Sequence, residues 1–174
     1  MPSFKYAQIE YERRFLLAQR PSDLPPQSFT IIEDIYIPDT RLRLRRMSAP
    51  DGQVLDLKLT QKFSTPDLPA TQTIITNFYL NDVEYEKLSQ INGRSLTKHR
   101  HTYHHAGYRW SIDIFQKQLH GLILCDIEAQ SAAALAQIPT PTFALQEVTD
   151  DPRYTGGALI TATPESIAAL LASI

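Results

Sequence analysis

In the segment Ile9-Glu10-Tyr11-Glu12-Arg13-Arg14-Phe15-Leu16-Leu17, ionic residues return at every second position, and no other feature of the chain restricts its fold as much. In a β-strand that spacing puts Glu10, Glu12 and Arg14 on one face, about 6.6 Å apart from one to the next. The same period recurs downstream. Arg41, Arg43 and Arg45 alternate with Leu42 and Leu44, and Asp56, Lys58, Thr60 and Lys62 alternate with Leu55, Leu57 and Leu59. Lys98 and Arg100 share a face, Asp113 stands between Ile112 and Ile114, and Asp126 and Glu128 flank Ile127. On these faces bases outnumber acids, although the whole chain carries a formal net charge of -2.

The pattern predicts strands at Ile9 to Leu17, Phe29 to Ile37, Arg41 to Met47, Val54 to Phe63 and Gln72 to Leu80. Others are predicted at Ser95 to Tyr103, Tyr108 to Phe115 and Gly121 to Ala129. Pro21-Ser22-Asp23-Leu24-Pro25-Pro26 and Ser64-Thr65-Pro66-Asp67-Leu68-Pro69 read as loops. Helices are fewer: one capped by Asn81 or Asp82 and running to Ile91, a short one from Ser131 to Gln137, and one opened by Thr163-Pro164-Glu165.

A chain of 174 residues, 43% hydrophobic and 21% charged, is expected to form one domain, residues 1–174, with a real core. The net charge and a pI near 6.2 give no support to a nucleic-acid-binding surface. Cys125 is alone, so an internal disulfide is excluded, and no N-terminal apolar run resembles a signal peptide or membrane span. A reducing cytoplasm is the expected compartment, without a membrane partner.

Two architectures satisfy the alternation. One is a sheet packed on a single side, its outer face solvated and charged. The other is a barrel with a wet, ionic interior and its apolar positions turned outward under helices and loops. Burying so many ions dry would cost several kcal/mol apiece. An interior of the second kind must therefore hold water, metal ions or a polyanion.

Glu10-x-Glu12-x-Arg14 resembles the ExExK signature of the CYTH, or triphosphate tunnel metalloenzyme, superfamily, with Arg14 where lysine usually stands. The order of the charged segments downstream strengthens the resemblance: Arg43-Leu44-Arg45, the Leu57-Lys58 strand, Gly93-Arg94 leading to Lys98-His99-Arg100, Ile112-Asp113-Ile114-Phe115, and Asp126-Ile127-Glu128. Glu147-Val148-Thr149-Asp150-Asp151 with Arg153-Tyr154 is similar to the family's C-terminal segment. The likeness runs from about Ile9 to Leu159.

The resemblance implies an α+β fold, an antiparallel barrel of about eight strands with short flanking helices, whose tunnel binds a triphosphate. It implies Mg2+ or Mn2+ as cofactor, and inorganic triphosphate, ATP or a similar small molecule as substrate. By position, Glu10, Glu12, Asp126 and Glu128 correspond to metal-binding acids. Arg43, Arg45, Lys58, Lys98 and Arg100 correspond to phosphate-binding bases, and Glu10, Glu12, Arg14 and Asp113 to the catalytic set. Hard divalent ions suit carboxylate oxygens, guanidinium forks suit phosphate, and phosphoryl transfer needs mainly placement and charge neutralisation.

The chain departs from the family at Thr73, Ile75 and Asn77, which stand where an arginine and a pair of glutamates are usual. Gly156-Gly157 replaces a residue that is often polar or basic. The expected function is hydrolysis of triphosphate compounds, inorganic triphosphate first, because no nucleobase pocket is evident in the sequence. A class IV adenylate cyclase and a non-catalytic polyphosphate- or nucleotide-binding module are the alternatives, with a purely structural barrel behind them. Thiamine triphosphate is a further family substrate, and a homodimer stays open. The cluster His99, His101, His104 and His105 is expected on a solvated edge or loop, and Cys125 in packing.

Overall fold

In the computed structural model, which describes residues 5–172, the alternating segments close into an antiparallel barrel. Its strands are β1 (Gln8–Leu16), β2 (Thr30–Tyr36), β3 (Leu42–Ser48), β4 (Val54–Phe63), β5 (Gln72–Tyr79), β6 (Arg94–His105), β7 (Tyr108–Phe115) and β8 (Ile123–Ala129). The ring runs β1-β5-β4-β3-β2-β6-β7-β8 and returns to β1. A two-residue strand, β9 (Gln146–Glu147), pairs with Phe15 and Leu16 on the edge of β1 that β5 leaves free.

The β6–β7 hairpin turns on Ala106 and Gly107, both at positive φ, 52° and 80°. That geometry matches the twist of the strands it joins and suits glycine at the second place. Helix α1 (Asp82–Ser89) begins with a capping box in which Asn81 and Glu84 bond each other's backbone N–H, and it lies against β3 and β4. Three short helices come after the barrel strands: α2 (Ala132–Ala136), α3 (Gly156–Leu159) and α4 (Pro164–Ala172).

The two faces of the barrel wall separate by parity. Glu10, Glu12 and Arg14 point inward, while Phe15 and Leu17 point outward and join Leu24, Tyr103, Trp110, Ile112, Cys125, Ile127, Leu135 and Ile138 in a core outside β1, β6, β7 and β8. The segments following β1 and surrounding α2 cover it. His101 belongs to this side. It is 2% exposed, and Phe29 stacks on its neighbour His99 at 4.3 Å. The solvated edge expected for these histidines is thus corrected for His99 and His101: the chain after β1 folds back over β6 and brings Phe29 onto them. Cys125 is fully buried, and burial pushes its thiol pKa up, as suits a packing residue.

A second core was not expected. Along the inward parity the ionic residues give way, toward one end, to Leu16, Leu96, Phe115 and Leu124. Val148, Tyr154, Leu159, Ile167 and Leu170 pack onto them from the C-terminal segments. This apolar stopper fills one end of the barrel on the side of β1, β6, β7 and β8.

Candidate active site

Register fixes how the interior charges meet. Asp34, Asp113 and Asp126 are 1%, 1% and 2% exposed. Each is the direct cross-strand partner of an arginine: Asp34 of Arg45, Asp113 of Arg100 and Asp126 of Arg14. All three pairs are bidentate. Arg45 reaches Asp34 at 2.6 and 2.7 Å, Arg100 reaches Asp113 at 2.7 and 2.6 Å, and Arg14 reaches Asp126 at 2.7 and 3.0 Å. Burial works against the Asp34 charge, but Arg45 and Arg43 outweigh it and lower its pKa to about 2. Asp113 is likewise held well below the usual carboxylate range by Arg100 and Lys98. Burial lowers the Lys98 ammonium to about 8 although it bonds Asp113, because Arg100 and Arg45 stand close by.

Two other inward pairs oppose like charges. Glu12 faces Glu128 across β1 and β8, and Arg45 faces Lys58 across β3 and β4. Such pairs are destabilising unless something of opposite sign joins them. The acidic pair gains a third member: a carboxylate oxygen from each of Glu10, Glu12 and Glu128 lies within 4.8 Å of the other two. Partial burial, with the charges of Glu10 and Glu12, raises the pKa of Glu128. Three carboxylates converging in this way form a donor set suited to a hard divalent ion. Strand β3 lies four places from β8 around the ring, so the acidic and basic pairs stand on opposed walls.

Lys62 comes closest to the acids. Its Nζ donates to Glu10 and lies 4.0 Å from Glu12. It also lines a pocket of about 580 Å³ that opens beside β3, β4 and β5, together with Glu12, Arg14, Arg43 and Thr73. Arg43 also lines this pocket, and its buried Nε, without a hydrogen-bond partner, stands 3.6 Å from Asp34. A guanidinium in a pocket wall is a ready anion contact. Residues 148–155 supply another wall, held to β1 through Arg14, whose Nη1 donates to the Tyr154 carbonyl at 2.9 Å.

Of the acids expected at a metal, the structure brings Glu10, Glu12 and Glu128 together. Asp126 stands apart from that trio, engaged by Arg14 and 3.6 Å from Arg100. Arg14 spends its guanidinium on Asp126, Glu12 and the Tyr154 carbonyl. Lys58 pairs with Asp56 at 3.0 Å. Thr73, Ile75 and Asn77 share the inward parity of β5, opposite Glu10, Gln8 and Thr60 respectively, so this part of the wall is uncharged. The sequence alone carries no signal for Asp34, and parity puts Lys62 on the inner face without assigning it a partner. The adjacent charges Glu33-Asp34 hide the period of β2, and only its pairing with β3 reveals Asp34 as the partner of Arg45.

A closed eight-stranded antiparallel barrel with short helices and an ionic interior is the CYTH-like tunnel fold. Among solved structures, the crystal structure of the inorganic triphosphatase NE1496 is similar over 89% of this chain and 96% of its own, with a TM-score of 0.57 and 23% identity. A second crystal structure, described as that of the hypothetical protein NE1496, covers 89% of this chain and 99% of its own at a TM-score of 0.58 and 24% identity. At that identity the likeness shows the shared fold. No protein-family model matches the sequence, and no curated protein matches it. No helix among the described residues is long and apolar enough to cross a membrane.

Proposed function

We propose that this chain is a metal-dependent hydrolase of triphosphate compounds, with inorganic triphosphate as its substrate. The observation that carries this reading is that one barrel interior brings together an acidic trio, Glu10, Glu12 and Glu128, and a set of bases, Arg43, Arg45, Lys98 and Arg100. A divalent cation suits the first, and a polyanion the second. The solved inorganic triphosphatase of the same fold agrees with it.

Glu10, Glu12 and Glu128 would hold Mg2+ or Mn2+, which when bound neutralises phosphate oxygens and makes the terminal group easier to attack. Arg43 offers its guanidinium to a phosphate from the pocket wall, and Lys98 and Arg100 add positive charge from β6. Asp113 and Asp126 keep Arg100 and Arg14 fixed, so little rearrangement accompanies binding. Asp126 assists by positioning Arg14 in this scheme.

Phosphate release from triphosphate and from ATP, with and without Mg2+ or Mn2+, tests the proposal. Metal-dependent release abolished by Glu12→Ala is expected, and cyclic AMP from ATP would identify a cyclase instead. A second reading is favoured by the uncharged β5 wall at Thr73, Ile75 and Asn77: a module that binds polyphosphate without turning it over. Tight triphosphate binding with no metal-dependent release would establish that reading.

A further inference from the structure

We infer that Lys62 is an exchangeable counter-cation, neutralising Glu10 and Glu12 until a divalent ion takes them and then turning to hold phosphate, so that metal and anion bind cooperatively. The inference rests on the metal-dependent reading above and adds to it a role for a residue outside the expected phosphate set.

The interior bases differ in how firmly they are held. Arg14, Arg45, Lys98 and Arg100 each contact an aspartate that is at most 2% exposed. Among the described residues, the acids that the Lys62 side chain meets are Glu10 and Glu12, two members of the acidic trio, and the side chain keeps 32% of its surface exposed. Its cross-strand neighbour on β5 is Ile75, whose side chain offers neither charge nor acceptor. An ammonium on a four-carbon stem can swing where a forked guanidinium in a bidentate pair cannot.

The ammonium and a divalent ion would compete for the same oxygens. The ion brings two charges, so it repels Lys62 as well as replacing it. Lys62 already lines the pocket that Arg43 lines, so the displaced ammonium remains within the space where an anion would lie. Arg14 also donates to Glu12, at 3.1 Å, but Asp126 and the Tyr154 carbonyl keep it in place. Metal binding thus adds a mobile cation to the anion site, and by linkage the anion raises metal affinity by the same factor.

The test is Mn2+ binding followed by electron paramagnetic resonance, first with no anion and then with non-hydrolysable imidotriphosphate. Lys62→Gln is expected to bind Mn2+ alone about fivefold more tightly than the wild type, since an ion pair of this exposure is lost. It should also show a smaller gain in Mn2+ affinity when imidotriphosphate is added. Lys62→Arg, which keeps the charge, should resemble the wild type in Mn2+ binding and guards against a folding defect. Equal or weaker Mn2+ binding by a folded Lys62→Gln overturns this inference alone. Mn2+ bound by neither protein overturns it together with the metal-dependent reading.

Discussion

Arg14 and Asp126 are direct partners across β1 and β8, joined by two parallel hydrogen bonds of 2.7 and 3.0 Å, with the aspartate only 2% exposed. The same arginine also anchors residues 148–155 through its Nη1 and through its backbone, whose carbonyl accepts from Val148 N–H at 2.8 Å. Charge pairing inside the barrel and closure of the pocket wall therefore meet in one residue. Arg14→Lys keeps the charge but loses the fork. It should destabilise the fold by about 1–3 kcal/mol, less than outright loss of a buried partner. Denaturant melts check the magnitude, and faster proteolysis within residues 148–155 checks the anchoring.

The buried aspartates set an acid limit. Because the folded-state pKa of Asp34 is depressed to about 2, its contribution is complete above the unfolded value near 4 and is lost as pH falls through 2. The linked stability is about 2 kcal/mol. Asp113 acts in the same direction. The aspartates' share of the stability should stay level from pH 7 to 5 and fall below 4, and Asp34→Asn should flatten part of that fall while lowering stability at neutral pH. Urea midpoints measured from pH 2 to 7 would decide this.

Glu128→Gln removes one of two like charges that face each other across β1 and β8. Without metal the variant should be more stable by up to about 1 kcal/mol. It should also lose most of the stabilisation that Mn2+ gives the wild type. Thermal melts with and without Mn2+ separate the two effects, and a variant that is less stable without metal would contradict the reading of this pair as frustrated.

Phe115 is 3% exposed in the apolar stopper. Phe115→Ala should cost about 3–5 kcal/mol, a core penalty at a position whose parity alone would place it among the interior charges. A loss below about 1 kcal/mol in a chemical melt would show that the stopper is dispensable.

The period of two made the strands legible, and the resemblance carried by the order of the charged segments pointed to a barrel. Val54 to Phe63 and Tyr108 to Phe115 match β4 and β7 to the residue, and the other strands differ by one or two residues at their ends. The inward set followed from the same parity, because Glu10, Glu12, Arg14, Lys98, Arg100, Asp113, Asp126 and Glu128 lie on strands with clean alternation. What stayed hidden depends on register or on distant segments. Asp34 becomes informative only opposite Arg45, and Lys62 only beside Glu10. The two-residue β9 has no period to read. The change from ionic to apolar at Leu16, Leu96, Phe115 and Leu124 looks, in the sequence, like ordinary strand ends. Only α4 and the Val148 segment turn those ends into a core.

That core unites residues about 150 positions apart in the sequence, since Leu16 shares it with Ile167 and Leu170. During synthesis the ring can be joined through β8 while the cap is still inside the ribosome. Until Leu170 emerges, Leu16, Phe115 and Leu124 stay wet and sticky on a nascent cylinder. The emergence of the segment that carries Ile167 and Leu170 is therefore what lets a nascent cylinder become a sealed vessel.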